Sequence, residues 1–202
     1  MVTYRNVFWL NILCFLLVIA LTVYTKLFGS SVGALFFPPF APSEPDIGLL
    51  THTFQILCAV PPIVCTFTFA LLKKIQPRSQ QNVFILCSAL LTGGFLLNEI
   101  FRIHIHLLNA GIPKLITSLV YALIALGYGF AFRKLLKSTP YSLLLTGMGL
   151  LFFAIIIDSL KLKGDGLPSL LEGVPKLFSE INIVLYFWYV CYGELVRSLR
   201  DS

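Results

Sequence analysis

Six long apolar stretches restrict the fold of this chain more than any other feature of its sequence. They cover approximately residues 6–28, 47–72, 82–107, 113–132, 141–160 and 175–196. Each is close to the length of about 20 residues that a helix needs to cross the hydrocarbon core of a bilayer. The sequence therefore predicts an all-α, polytopic membrane helix bundle of about six transmembrane helices.

The composition also favours a membrane protein. Of the 202 residues, 57% are hydrophobic and 12% are charged, whereas a soluble domain of this size needs more polar surface to cover itself. Six spans with short connections use nearly the whole chain, so residues 1–202 are predicted to form a single transmembrane domain. The lipid bilayer is then its first expected partner.

The distribution of basic residues predicts the orientation. The connections after the second, fourth and sixth spans carry Lys73, Lys74, Arg78, Arg133, Lys134, Lys137, Arg197 and Arg200. Such connections usually face the cytoplasm. The first long loop contains Glu44 and Asp46 but no Lys or Arg, which fits the opposite side. Both termini are therefore predicted to be cytoplasmic, in a multi-pass protein of the cell membrane.

The formal net charge of +6 does not indicate a nucleic-acid partner. The basic residues form short clusters beside apolar spans, where they set topology and meet anionic lipid headgroups. A basic stripe interleaved with exposed aromatic residues, which nucleic-acid binding would require, is not found in the sequence. We therefore expect no DNA or RNA partner.

A group of ionisable side chains falls in the half of the spans nearer the predicted non-cytoplasmic surface. Its members are His52, Glu99, Arg102, His104, His106, Asp158 and Glu180. Ionisable residues inside transmembrane helices are costly and commonly mark functional sites. Because these residues come from four different spans, they predict a polar site near the non-cytoplasmic leaflet.

Helical phase selects some of these residues as ligand-binding candidates. At about 100° per residue, Glu99 and His106 share a face of a continuous helix, and Arg102 lies about 60° away. Together with Asp158 and Glu180, they are predicted to bind a polar or lipid-headgroup ligand. Arg102 would hold an anionic group, while the acids and the histidine would tune proton or cation binding around it.

Three other functions are compatible with the same spans. One is an intramembrane metal-dependent hydrolase with His52, His104 and Asp158 as ligands and Glu99 as general acid or base. His104 and His106 cannot chelate one metal together in a helix, because residues i and i+2 lie on opposite sides. A second is a b-type haem redox protein with His52 and His104 as axial ligands. A third is a structural or assembly subunit whose partner is a larger membrane complex.

The segment Asn98-Glu99-Ile100-Phe101-Arg102-Ile103-His104 resembles a motif of a group of uncharacterised bacterial multi-pass membrane proteins. In that group two acidic residues, then Phe, then His-Glu occur in one helix. Asp158 and the segment Glu172-Gly173-Val174-Pro175-Lys176 are similar to the group's later pattern. Asn98 stands where the group has an acid and Ile105 where it has Glu. The resemblance covers about the second half of the chain and implies no particular substrate.

The Asp and His pattern is also similar to the superfamily of intramembrane zinc hydrolases that includes the alkaline ceramidases. The paired histidines of that superfamily's last helix have no counterpart in residues 175–196. We therefore carry none of its catalytic residues over to this chain. Whether the protein is an enzyme, and with which cofactor, stays open at this point because no phosphate loop, H-E-x-x-H or G-x-S-x-G motif is present.

Overall fold

The computed structural model describes residues 4–28, 31–36, 48–75, 79–160 and 166–200. Within them every regular element is helical, which confirms the predicted all-α class. The α-helices are α1 (Tyr4–Leu27), α2 (Leu49–Ile75), α3 (Gln80–Phe101), α4 (Ile103–Asn109), α5 (Lys114–Ala131), α6 (Arg133–Lys137), α7 (Tyr141–Ser159) and α8 (Leu167–Arg200). A short 3₁₀ helix, Val32–Phe36, follows α1. The acidic residues of the first loop, Glu44 and Asp46, and also Arg78 lie outside the described residues.

Four helices are long and apolar enough to cross a membrane, by length and composition. Their qualifying segments are Arg5–Leu27, Leu49–Ile75, Gln80–Phe101 and Tyr141–Ser159. A shorter apolar helix covers Ile116–Ala131. The protein is therefore a helical protein with several membrane-compatible helices.

Prolines lie inside two of the long helices. Pro61 and Pro62 fall within α2, and Pro175 falls within α8. Proline removes the N–H that would bond the carbonyl four residues earlier. The predicted last span began at this proline, but α8 already begins at Leu167, two turns earlier. Proline is tolerated there because neighbouring helices can compensate for one lost backbone hydrogen bond.

Large apolar side chains cover much of the molecular surface. Trp9 on α1 is 61% exposed, Leu123 on α5 is 58% exposed and Phe152 on α7 is 63% exposed. Soluble monomers rarely expose extended apolar surface. A lipid environment accounts for this arrangement, because in a bilayer the outward face of a helix contacts acyl chains.

The described chain comprises two compact units. The first unit is formed within Met1–Leu57 and Ser142–Leu185. There α7 packs closely on α8, because a Cβ at Gly147 would lie 2.8 Å from Cγ1 of Ile183 and 3.0 Å from the carbonyl oxygen of Ser179. The Asn182 amide on α8 donates to Oδ1 of Asn11 on α1 at 3.2 Å.

The 3₁₀ helix of the first unit packs against the beginning of α8. A Cβ at Gly173 would overlap the ring of Phe36, and a Cβ at Gly166 would lie 3.0 Å from Cβ of Val32. Gly166 has φ 80°, a conformation that glycine adopts without steric cost. These two glycines therefore allow the loop after α1 to lie directly on the first turns of α8.

The second unit is formed within Cys58–Tyr141 and Tyr186–Ser202. Its buried polar groups pair across helices: the hydroxyls of Ser88 and Tyr128 lie 2.7 Å apart, and those of Thr139 and Tyr186 lie 3.1 Å apart. The sulfur atom of Cys65 on α2 lies 3.7 Å from the sulfur atom of Cys191, which is in the C-terminal half of α8. Both thiols are free and buried, as expected for packing residues.

Candidate functional site

The helix that carries most of the predicted site residues is interrupted at Arg102. Helix α3 ends at Phe101 and α4 begins at Ile103. Arg102 has φ 49° and ψ 43°, which is the left-handed helical region. It is the one non-glycine residue with positive φ among the residues that the structure describes. This conformation costs an L-residue roughly 1–2 kcal/mol, so neighbouring groups must hold it in place.

Asn98 supplies much of that support. The backbone N–H of Arg102 donates to the carbonyl oxygen of Asn98. The Asn98 side-chain oxygen accepts a hydrogen bond from the backbone N–H of His104 at 3.2 Å. Its side-chain nitrogen donates to Oε1 of Glu99 at 3.3 Å. Since Asn98 is only 4% exposed, its amide acts as a buried cap for the first turn of α4.

The interruption corrects one part of the sequence-based argument. A continuous helix over residues 82–107 was predicted, and the shared face of Glu99 and His106 depended on it. The left-handed residue at 102 changes the direction of the chain and resets the helical phase. In the structure Glu99 is half-buried on α3, whereas His106 is exposed on α4. The prediction that Glu99 and His106 share one face of a continuous helix is therefore wrong.

The two histidines of α4 differ in exposure, although the longer predicted helix is interrupted before them. His104 and His106 both lie within the seven-residue helix α4. His104 is half-buried and His106 is exposed, as expected for residues two positions apart on a helix. A metal site shared by these two rings would require α4 to unwind.

The predicted ligand-binding residues are divided between the two units. Glu99, Arg102 and His106 belong to the second unit, with His104. Asp158 lies near the end of α7 and is half-buried, and Glu180 is buried in α8 at 3% exposure. Both of these acids belong to the first unit. The α3–α4 residues thus follow one another along one segment of the second unit, whereas the two other acids lie on α7 and α8 of the first unit.

The residues suggested as metal ligands have different environments. His52 is exposed near the beginning of α2, His104 is half-buried on α4 and Asp158 is half-buried on α7. Among the residues that the structure describes, no group of three His, Cys, Asp or Glu side chains is arranged to hold a metal ion. We therefore derive no metal-dependent step from these positions.

Asn98 is the residue of the candidate site that sequence reasoning missed. It was noted only as a departure from a motif that has an acid at this position. The available signal was its type, because a buried amide inside an apolar span needs hydrogen-bond partners, and Asn side chains commonly cap helix N-termini. A pattern search with a fixed helical period cannot detect a cap in the middle of a predicted span.

The α3–α4 junction carries several polar groups at the point where the two helices meet. The guanidinium of Arg102 provides several N–H donors, and the carboxylate of Glu99 provides an acceptor that already meets the Asn98 amide. The ring of His104 lies in the following turn. Such a junction can bind an anionic or zwitterionic group without any covalent step.

A family model described as "Domain of unknown function (DUF8692)" matches residues 9–191. No curated protein and no solved structure matches the chain. The match extends from α1 into α8 and includes the junction at Arg102.

Proposed function

Since the chain belongs to this family of a domain of unknown function, we propose its function from the geometry: it is a multi-pass protein of the cell membrane that binds a polar or lipid-headgroup ligand at the α3–α4 junction. Arg102 holds the anionic group of the ligand. Glu99, with the nearby histidines, tunes proton or cation binding around it. Asp158 and Glu180 lie in the first unit, and their membership of a polar site stays a prediction from the sequence.

The proposal includes six spans with both termini in the cytoplasm. The four long apolar helices account for four spans, α5 for the fifth and the apolar part of α8 for the sixth. Support for the orientation comes from the basic residues at the last turns of α2 and α8 and in α6. Basic residues at helix ends favour the cytoplasmic side.

The length of α3 supports a position of the junction at the outer surface. Helix α3 follows the basic end of α2 and contains 22 residues, which corresponds to about 33 Å at 1.5 Å per residue. The hydrocarbon core is about 30 Å thick. A helix that starts at the cytoplasmic surface therefore reaches the opposite boundary where Arg102 interrupts it.

The observation that carries the proposal is the left-handed Arg102 between α3 and α4. Strained, non-glycine backbone occurs preferentially at ligand-binding positions. Interrupted membrane helices also expose backbone N–H and C=O groups to a ligand. A structural residue at this turn could have been glycine, which adopts the conformation without cost. We infer that arginine occupies this position because its guanidinium binds the ligand.

Lipid titration tests this function. Detergent-purified protein is titrated with dioctanoyl phosphatidylglycerol by isothermal calorimetry, and dioctanoyl phosphatidylcholine serves as the zwitterionic comparison. We expect Arg102→Gln to raise the Kd of one binding event about tenfold, because a charged hydrogen bond contributes about 1.5–3 kcal/mol. The matched control is Arg133→Gln, which removes an exposed arginine from α6. Unchanged binding in both Arg102→Gln and Glu99→Gln would refute the proposal.

Metal and haem are tested separately. Elemental mass spectrometry and an absorption scan are applied to the purified protein and to His52→Ala and His104→Ala. Under our proposal, ligand binding at Arg102 requires neither a bound metal ion nor a haem group. Stoichiometric zinc or haem that is lost in both variants would replace it with the hydrolase or the redox protein, respectively.

A further inference from the structure

A small polar cavity lies at the opposite end of α3 from Arg102, within the second unit. It has a volume of about 100 Å³ and is lined by the beginning of α3, at Ser79, Gln81 and Asn82, and by the end of α8, at Glu194, Arg197 and Ser198. Its volume is about three times the roughly 30 Å³ that one water molecule occupies in the liquid. The cavity can hold a single phosphate-sized group.

Ser198 places a buried hydroxyl in the lining of this cavity. The residue is only 4% exposed, and its hydroxyl has no hydrogen-bond partner within the described part of the chain. A buried hydroxyl without a partner costs about 1–3 kcal/mol. A serine in this helix position could bond to the carbonyl four residues earlier, so its unpaired state is explained by a ligand that the hydroxyl meets in the cavity.

Two groups around the cavity attract an anion, although the carboxylate of Glu194 also lines it. Arg197 lines it and bonds Oε1 of Glu194 at 3.2 Å, which uses one of its N–H donors and leaves others for a ligand. The N-terminus of α3 also faces this region, and Ser79 caps it by accepting from the N–H of Gln81 at 3.2 Å. The positive end of a helix and a guanidinium together attract phosphate.

An apolar groove adjoins the cavity. The groove has a volume of about 510 Å³ and shares Ser79 and Asn82 with the cavity. Its apolar wall consists of Phe69, Val83 and Leu86, and Lys73 lies at its edge. This volume falls within the range of about 300–1,000 Å³ that is typical of small-molecule sites. A polar cavity beside an apolar groove matches a molecule with an anionic head and a hydrocarbon chain.

We propose that this second site binds an anionic phospholipid. The headgroup phosphate occupies the cavity between Arg197, Ser198 and the start of α3, and one acyl chain lies along the groove past Val83 and Leu86. Lys73 meets the phosphate from the groove side. The site is separated from the Arg102 junction by the length of α3, about 33 Å for its 22 residues, and it does not depend on the function proposed there.

The test uses two pairs of matched variants in an Arg102→Gln background, which removes the other proposed lipid site. Full-length protein in detergent is titrated with dioctanoyl phosphatidylglycerol. We expect Arg197→Gln and Lys73→Gln each to raise the Kd about tenfold. Arg200→Gln and Lys74→Gln remove exposed charges from the same two helix ends, outside the lining, and should change the Kd less than about twofold.

Ser198→Ala separates a ligand-binding hydroxyl from a merely buried one. With a bound ligand, this variant should raise the Kd about fivefold, the effect of about one neutral hydrogen bond. If Ser198→Ala instead leaves the Kd unchanged and raises the melting temperature, the hydroxyl has no ligand and the proposed headgroup position is wrong.

Inorganic phosphate distinguishes a lipid from a free anion. Because it lacks the acyl chain that the groove would bury, we expect phosphate to bind at least about tenfold more weakly than the lipid. Equal affinities would overturn the lipid proposal in favour of a phosphate-ion site. Equal losses in Arg197→Gln and Arg200→Gln would also overturn it, because they would indicate diffuse attraction to the basic surface.

Discussion

At the scale of single residues, Arg102 and Asn98 determine how the candidate site is built. Arg102 adopts a backbone conformation that disfavours every L-residue, and its N–H bonds the carbonyl of Asn98. The buried Asn98 amide then bonds the first turn of α4. The carbonyl of Arg102 accepts from the N–H of Ile105 at 2.8 Å. The turn is thus held by backbone and amide groups, which leaves the Arg102 side chain available for a ligand.

This division of roles predicts that two variants of Arg102 differ in stability but not in lipid binding. Arg102→Gly and Arg102→Ala both remove the guanidinium, but only glycine is unstrained at φ 49°. We expect Arg102→Gly to be about 1 kcal/mol more stable than Arg102→Ala in denaturant unfolding in detergent. Both variants should lose lipid binding to the same extent. An Arg102→Gly protein that is less stable than Arg102→Ala would contradict the left-handed turn.

At the scale of helices, close packing of α7 on α8 depends on one of the two neighbouring glycines. A Cβ at Gly147 would come within 3.0 Å of a carbonyl oxygen of α8, which cannot move away easily. Around Gly149 the described residues leave open space for a Cβ. The sequence pattern marks both positions equally as small residues that favour helix contact. Only the structure distinguishes them.

The two glycines form a matched pair for mutation. We expect Gly147→Ala to lower the stability of the protein by about 1–3 kcal/mol, because overpacking forces the helices apart. Gly149→Ala should have little effect or a small stabilising one, since alanine favours a helix more than glycine does. Thermal unfolding in detergent, followed by circular dichroism, measures the difference. Equal melting temperatures for the two variants would show that α7 and α8 do not pack at Gly147.

At the scale of the whole molecule, the proposed orientation gives different surfaces to the two ends of α3. The α3–α4 junction is then outside the cell, and the basic ends of α2 and α8 are inside. This arrangement allows a ligand from one side to reach Arg102 and a phospholipid of the inner leaflet to reach Arg197.

Reporter fusions test this orientation in cells. A fluorescent protein fused to the C-terminus should be fluorescent, because it stays in the cytoplasm, and alkaline phosphatase at the same position should be inactive. Phosphatase inserted after Ala110, in the turn that follows α4, should be active if that turn lies outside. The reversed pattern would reverse the topology and would place the two proposed sites in the opposite leaflets.

The sequence by itself determined the helical class and the membrane character, because both depend on the length and apolarity of contiguous segments. It also located the polar residues near Glu99 and Arg102, since ionisable groups are rare in apolar spans. The six spans, the orientation and the resemblance to bacterial membrane proteins remain predictions. Only the tertiary structure decided where a predicted span is interrupted, that Asn98 caps the turn and that Ser198 lines a cavity. These features depend on contacts between residues separated in the chain or on one unusual φ angle, which no local pattern specifies.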